Sequence, residues 1–336
     1  MPELRKNILT GNQVVIAVER SKRPSDLKSD NDEFENLSEY DEKCPLCLGN
    51  EEMTPPEQFR IQSDDKWVVR AIPNKFPILS KTSEVLENNE DIFIKKNGVG
   101  IHEVLIESNK HNKSFFNMKS NDFNNILRMY KNRFEKLLKF EFTSYVSLFK
   151  NNLKKAGASL VHSHAQIITV PIVPENIEIE LRNAKEFYNS NKKNIFEFII
   201  ESELNRDERV IYNSENFSII APFASAYNYE VEIIFKNLSR FEKIKDTEIN
   251  ELSILMERLF QKYKQVLGVI PFNMIVHSLP KGRYDMDDKY NVHIHIVPRL
   301  SNQAGFELGT GIMVNAVPPE NAAQYLKFDV KSEKQK

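Results

Sequence analysis

One order of elements occurs twice in this chain, and that repeat limits the folds open to it. From Ser120 to Phe140, apolar residues fall at Phe123, Ile126, Leu127, Tyr130, Phe134, Leu137 and Leu138, the spacing of one helix face. Ser120, Asn121 or Asp122 is available as its N-cap. A strand over Ser144–Phe149 and a loop lead to His162-Ser-His164-Ala-Gln166 and the apolar run Ile167–Pro171. The order then returns. A helix that Thr247 can cap turns Ile249, Leu252, Leu255, Leu259, Phe260, Tyr263 and Val266 inward. The strand Phe272–His277, a polar loop from Ser278 to Lys289 and the strand Asn291–Val297 follow. Upstream, His102–Ile106 is matched by Tyr229–Ile233. The repeat predicts two helix-and-sheet units of similar size, residues 1–174 and 175–330, with the boundary near Pro171–Glu175. The charged, partly helical segment Glu175–Asp207 reads as a connector. The polar arm up to Glu42 is expected to wrap another surface, and residues 331–336 to fray.

Charge and composition exclude several classes. A formal net charge of −2 with no basic stripe argues against nucleic acid and against a charged membrane surface. No apolar run approaches a bilayer span, and the N-terminus lacks the apolar core of a signal peptide, so a cytoplasmic protein is expected. The only two cysteines, Cys44 and Cys47, sit in Cys-Pro-Leu-Cys, unlike a secreted disulfide framework.

Three constellations can carry chemistry. Two thiolates at the Cys44–Cys47 spacing can reach one Zn²⁺, with His111 and His162 the candidates to close a structural tetrahedron. In the second, His162, His164 and Gln166 share one face of a strand. With His162 held by zinc, His164 is the free nucleophile, and a neutral imidazole is suited to attack phosphorus. Gln166 can donate to a non-bridging oxygen, and the backbone N–H groups of Ala158, Ser159 and Leu160 can meet phosphate. In the third, His277, His293 and His295 with Glu180 or Glu178 suit a second metal, Zn²⁺ or Fe²⁺. Val297 here stands where the first strand has its glutamine. The basic run Arg20-Ser-Lys-Arg23 is a weaker candidate for phosphate.

These residues together resemble the galactose-1-phosphate uridylyltransferase family of histidine-triad nucleotidyltransferases. The likeness runs from Leu9 to about Leu326. It rests on the order Arg-Ser-Lys-Arg-Pro, Cys-Pro-Leu-Cys, Pro73-Asn-Lys-Phe-Pro77, His102-Glu-Val, Phe149-Lys-Asn151, His-Ser-His-Ala-Gln and His-Ile-His. The resemblance implies an α+β fold of two tandem histidine-triad-like domains, each an antiparallel half-barrel sheet with packed helices. It also implies ping-pong exchange through a nucleotidyl-histidine on His164, with Gln166 the mark of a transferase. By the same resemblance Cys44, Cys47, His111 and His162 hold zinc, and Glu180, His277, His293 and His295 hold the second metal. Leu46, Asn74, Phe76, Asn151 and Ser159 contact nucleotide and phosphate, as do Arg20 and Arg23. The implied substrates are UDP-glucose and galactose 1-phosphate, in carbohydrate metabolism, and the implied assembly is a homodimer. Two departures stand out. The usual His-Pro-His-Gly-Gln reads His-Ser-His-Ala-Gln, and the segment Gly305–Ile312 carries Gly-Thr-Gly, a form similar to ADP-glucose phosphorylase-like members. The three-histidine set leans toward the uridylyltransferase line. A non-catalytic nucleotide-binding histidine-triad protein is a more distant alternative, and a hydrolase is disfavoured by Gln166.

Overall fold

The computed structural model describes residues 1–20, 36–81 and 87–330. Its centre is an antiparallel sheet of ten strands. In chain order these are β1 (Phe59–Ser63), β2 (Lys66–Pro73), β3 (His102–Ile106), β4 (Tyr145–Asn152), β5 (His164–Val170), β6 (Val210–Asn213), β7 (Phe217–Ile220), β8 (Val231–Phe235), β9 (Phe272–His277) and β10 (His293–Pro298). Across the sheet they run β6-β7-β8-β10-β9-β4-β5-β3-β2-β1. Each half therefore has the same internal order, and the halves meet where β4 pairs with β9, Phe149 opposite Ile275. The fold is α+β, with the helices α1 (Ser120–Leu138), α2 (Glu175–Asn191), α3 (Ile195–Arg206), α4 (Asp246–Leu267), α5 (Gly305–Thr310) and α6 (Pro319–Leu326). Among the described residues, no helix is long and apolar enough to cross a membrane.

The repeated helices are α1 and α4, and they start by one device. Their N-caps are Lys119 and Lys245, one to three residues before the side chains expected from sequence. Asp122 accepts the Lys119 N–H at 2.9 Å, and Glu248 accepts the Lys245 N–H at 2.7 Å. An acid at the third helical position satisfies an orphan donor and sits favourably at the positive end of the helix. The strand expected over Tyr229–Ile233 forms two residues later, because Tyr229 takes a positive φ of 59° in the turn before it.

Both helices lie on one face of the sheet and share a core with it. Phe260 of α4 is fully buried at the junction, its ring against those of Phe115, Phe116, Phe123 and Phe272. The opposite face of the second half is covered by α2 and α3, where Ile177, Leu181, Phe196 and Ile200 pack with Leu9 of the N-terminal arm. The segment read as a connector is thus a cover for the second half. The arm itself forms a small sheet in which Glu3–Lys6 pairs with Gln13–Ile16, and the latter runs parallel to Met313–Asn315.

Because Phe260 bridges both helices and the central strands, Phe260→Ala is expected to cost about 3–5 kcal/mol. Chemical denaturation should show that loss in one transition followed by both far-UV circular dichroism and tryptophan fluorescence. A second, separate transition would contradict a core shared between the halves.

Candidate functional site

The nucleophile candidate lies at the first residue of β5. His164 is buried, and its Nδ1 lies 2.7 Å from the carbonyl of His162. A carbonyl only accepts, so Nδ1 carries the proton and the Nε2 lone pair is free. Burial holds the imidazole below the ordinary histidine range. Gln166, two residues on, points from the same face. Its Oε1 is 2.7 Å from His102 Nε2, while the Ile78 N–H approaches His102 Nδ1 at 3.4 Å. His102 Nε2 is shared between two amides, since Asn74 Nδ2 lies 3.0 Å from it as well, and the contact holds the Gln166 side chain in place. His102 is a positioning residue that sequence reasoning left without a role. Its signal was the registered match of His102–Ile106 to the second repeat.

Beneath this strand is a buried charge network that the sequence did not reveal. Lys150, 1 % exposed, reaches the Glu107 carboxylate, Ser163 Oγ at 3.1 Å and the His164 carbonyl at 3.1 Å. Ser163 and Tyr130 both donate to Glu107. Burial lowers the lysine pKa and Glu107 opposes it. The ion pair is fully hydrogen-bonded, and it holds the Ser163 side chain and the His164 carbonyl.

The loop from Leu153 to Val161 meets β5 at the same end. Leu153 has a positive φ of 66°, and its carbonyl accepts from both Ala156 and Ala158. The Ala158 N–H, expected to face phosphate, is therefore already used. Those of Ser159 and Leu160 enter no backbone hydrogen bond among the described residues. Asn151 is held by Asn273 Nδ2 at 2.8 Å beside this loop. Phe76 is 79 % exposed at the rim, whereas Leu46 is buried with Cys44, Cys47 and Trp67. Arg23 lies outside the described residues, as does the side chain of Arg20.

Cys44, Cys47, His111 and His162 converge, with their ligand atoms within 4.8 Å of one another. Cys44 Sγ and Cys47 Sγ each lie 3.6 Å from His162 Nδ1, and Cys47 Sγ lies 3.5 Å from His111 Nδ1. His162 Nε2 donates to the Ser108 carbonyl at 2.7 Å, which leaves Nδ1 as a lone-pair donor. Burial pushes the Cys44 thiol up to about 12 and His162 down to about 4. This buried quartet could hold a metal ion, and such an ion would reverse the thiol shift.

His277, His293 and His295 form a second group with ligand atoms within 4.8 Å. Of the two acids considered, Glu180 is the one present. It lies 3.1 Å from His277 Nδ1 and 3.7 Å from His293 Nε2, and it accepts from Tyr290 at 2.7 Å. Glu178 instead pairs with Arg283. Burial would raise the Glu180 carboxyl, but His277 and His293 bring it down to about 2. Among the described residues His293 Nε2 is buried without a hydrogen-bond partner, an orphan that a metal would satisfy.

Sheet register corrects the expected match between the repeats. Gln166 is flanked by Phe149 and Val104, and His295 is flanked by Ile275 and Glu232. Phe149 and Ile275 stand equally far along the chain from the matched caps Lys119 and Lys245, so His295 occupies the place of Gln166, and His293 that of His164. The same hydrogen bond marks both: His293 Nδ1 lies 2.9 Å from the carbonyl of Asn291, two residues back. Asn291, not a histidine, therefore stands in the position of His162, and Val297 is not the counterpart of the glutamine.

Comparison with known proteins accords with this geometry. The family model "Galactose-1-phosphate uridyl transferase, N-terminal domain" matches residues 1–174. ADP-glucose phosphorylase of Arabidopsis thaliana is 32 % identical over 331 residues, covering 97 % of this chain and 92 % of the relative. Galactose-1-phosphate uridylyltransferase of Thermotoga maritima is 27 % identical over 336 residues, covering 97 % and 98 %. A crystal structure of the Arabidopsis phosphorylase with bound ADP-glucose superposes with a TM-score of 0.82 at 30 % identity, over 98 % of this chain and 100 % of that one. A uridylyltransferase structure at 24 % identity has the same fold, with a TM-score of 0.74 over 97 % of each chain.

Removing Lys150 leaves the Glu107 carboxylate buried and uncompensated. Lys150→Met is expected to destabilise by about 3–5 kcal/mol. Glu107→Gln/Lys150→Met should recover most of that in urea denaturation. A double variant no more stable than the single one would show that the charge pair is not the source of the loss.

Proposed function

The chain belongs to the galactose-1-phosphate uridyl transferase family of nucleotidyltransferases, and we propose that it passes a nucleotide between sugar 1-phosphates through a covalent intermediate on His164. The observation that carries this reading is the pair of pinned side chains. His164 is fixed as the Nδ1–H tautomer by the His162 carbonyl, and Gln166 is oriented by His102. His164 Nε2 attacks the α-phosphorus of a nucleotide sugar. The N–P bond forms as the P–O bond breaks, and the sugar 1-phosphate leaves with the bonding pair. A phosphate oxygen of the second sugar 1-phosphate then attacks phosphorus, and the N–P bond breaks to restore the neutral imidazole. The Gln166 amide donates to a non-bridging oxygen as charge shifts there. A neutral amide is a poor proton donor to a leaving group, which favours transfer over hydrolysis. We assign Leu46, Asn74, Phe76, Asn151 and Ser159 to nucleotide and phosphate binding, with Arg20 and Arg23, in a homodimeric enzyme.

The first reading of the substrates is exchange of UMP between UDP-glucose and galactose 1-phosphate. The second is transfer of AMP from ADP-glucose to phosphate. What favours the second is the greater identity to the Arabidopsis phosphorylase, 32 % against 27 % for the Thermotoga uridylyltransferase. Incubation with each radiolabelled nucleotide sugar, without acceptor, separates them. UDP-glucose is expected to label the protein and His164→Ala to take no label. Labelling by ADP-glucose alone would overturn the first reading, and a labelled His164→Ala would remove His164 as nucleophile.

Because burial lowers the His164 pKa, the neutral nucleophile persists into more acid solution than a free imidazole, whose pKa is about 6.5. The rate of adduct formation should therefore hold through pH 6. An acid limb with an apparent pKa at or above about 6.5 would contradict this.

The first cluster is assigned to zinc. Bonds of about 2.3 Å to sulfur and about 2.0–2.1 Å to nitrogen place S and N about 3.6 Å apart in a tetrahedron. The S···N separations are 3.5 and 3.6 Å. Bound zinc would hold both thiols as thiolates and tie three distant segments together. Zn²⁺ or Fe²⁺ is assigned to Glu180, His277, His293 and His295. Chelation is expected to remove metal and stability together. A metal-free protein of unchanged melting temperature would contradict the structural role.

A further inference from the structure

A cavity of about 330 Å³ opens on the second half of the sheet, between the N-terminal arm, α3 and the segment after β7. Its place in the fold is specific. β2 pairs Ile72 with Val104, and β7 pairs Ile220 with Glu232. Val104 lies opposite Gln166, and Glu232 opposite His295. The cavity is lined by Ile220, Glu232, His295 and the residues Pro222, Phe223 and Ala224. In register these stand for Ile72, Val104, Gln166 and Asn74, Lys75 and Phe76. The cavity is therefore the second repeat's counterpart of the groove beside His164.

We propose that this cavity is a second nucleotide site, taking a nucleobase with an attached phosphate and separate from the reacting centre. Three features of the cavity fit that ligand class. Its inner wall carries Glu232, 6 % exposed, whose side chain lies beside His295 and makes no hydrogen bond among the described residues. Val104 offers nothing polar at that position, so the second repeat adds a buried acceptor suited to a ring N–H or exocyclic amino group. The side walls are apolar, with Leu9, Phe198, Ile199 and Phe223. Phe223 is held between the guanidinium groups of Arg5 and Arg209, at 4.6 and 5.1 Å from its ring centre, so that wall is preformed. The rim carries Lys6 and Arg206, exposed and without an ion-pair partner among the described residues, placed to meet an anion. The volume lies in the range of small-molecule sites. The arm and α3 supply the walls that stand against the sheet here.

The choice of a nucleotide rests partly on the assignment of the His164 groove to nucleotide binding, and the test separates the two. Equilibrium dialysis of the full, metal-loaded chain against radiolabelled AMP, and separately UMP, counts the molecules bound. Two per chain are expected for at least one nucleotide. Asn74→Ala should weaken one site, and Ser202→Phe, on the α3 wall, should abolish the other without changing metal content. Glu232→Gln should weaken that second site about tenfold, the worth of one charged hydrogen bond, and it guards against misfolding of the phenylalanine variant. One molecule per chain, weakened by Asn74→Ala and indifferent to Ser202→Phe and Glu232→Gln, overturns the inference and leaves the proposed function standing. One molecule lost only in Ser202→Phe and weakened in Glu232→Gln supports the inference and removes the nucleotide role of the His164 groove. No binding of either nucleotide overturns the inference.

Discussion

The structure depends on the pairing of β4 with β9. Each half alone would leave one of these strands as an open edge, with unpaired N–H and C=O groups and half a hydrophobic face. Pairing them joins two five-strand units into one sheet and brings α1 and α4 together over a shared core. The aromatic cluster at Phe260 lies at that seam. The seam also sets the distance between the two histidine clusters, because β5 and β10 flank the paired strands on either side.

Within this near-symmetry, a few substitutions separate the chemistry of the halves. A histidine pinned through Nδ1 to the carbonyl two residues back occurs in both. In the first half its neighbour is Gln166, a neutral donor, and the preceding His162 joins the sulfur cluster. In the second half the glutamine becomes His295, His162 becomes Asn291, and His277 and Glu180 complete a cluster of ligand atoms. One strand geometry thus presents the proposed nucleophile in one place and, in the other, side chains that could hold a metal. The difference arises from the side chains on one face of adjoining strands and not from the backbone.

Much of this was legible in the sequence. The helices α1 and α4, the strands β3 and β9 and the Cys-x-x-Cys cluster followed from period and spacing, because short-range patterns encode which face is buried. Other features were not. The lysine caps escaped because the capping acid sits three residues inside the helix. The Lys150–Glu107 pair escaped because a lysine on a strand ordinarily reads as a solvated residue. Spacing left Glu180 and Glu178 level and the family resemblance chose Glu180; the packing of α2 on the sheet gives the physical reason, turning Glu180 toward the histidines and Glu178 toward Arg283.

The sequence by itself determined the repeated order of elements, the four donors of the first cluster and the alternation that puts His164 and Gln166 on one face. These are local, set by a period of two or by side-chain chemistry. Only the tertiary structure decided the register between the repeats, the role of His102 as the partner of Gln166 and the cavity at Glu232. Each of those depends on which strand lies beside which. Strand pairing joins residues far apart in the chain, and a shift of two residues preserves every local pattern while exchanging the partners.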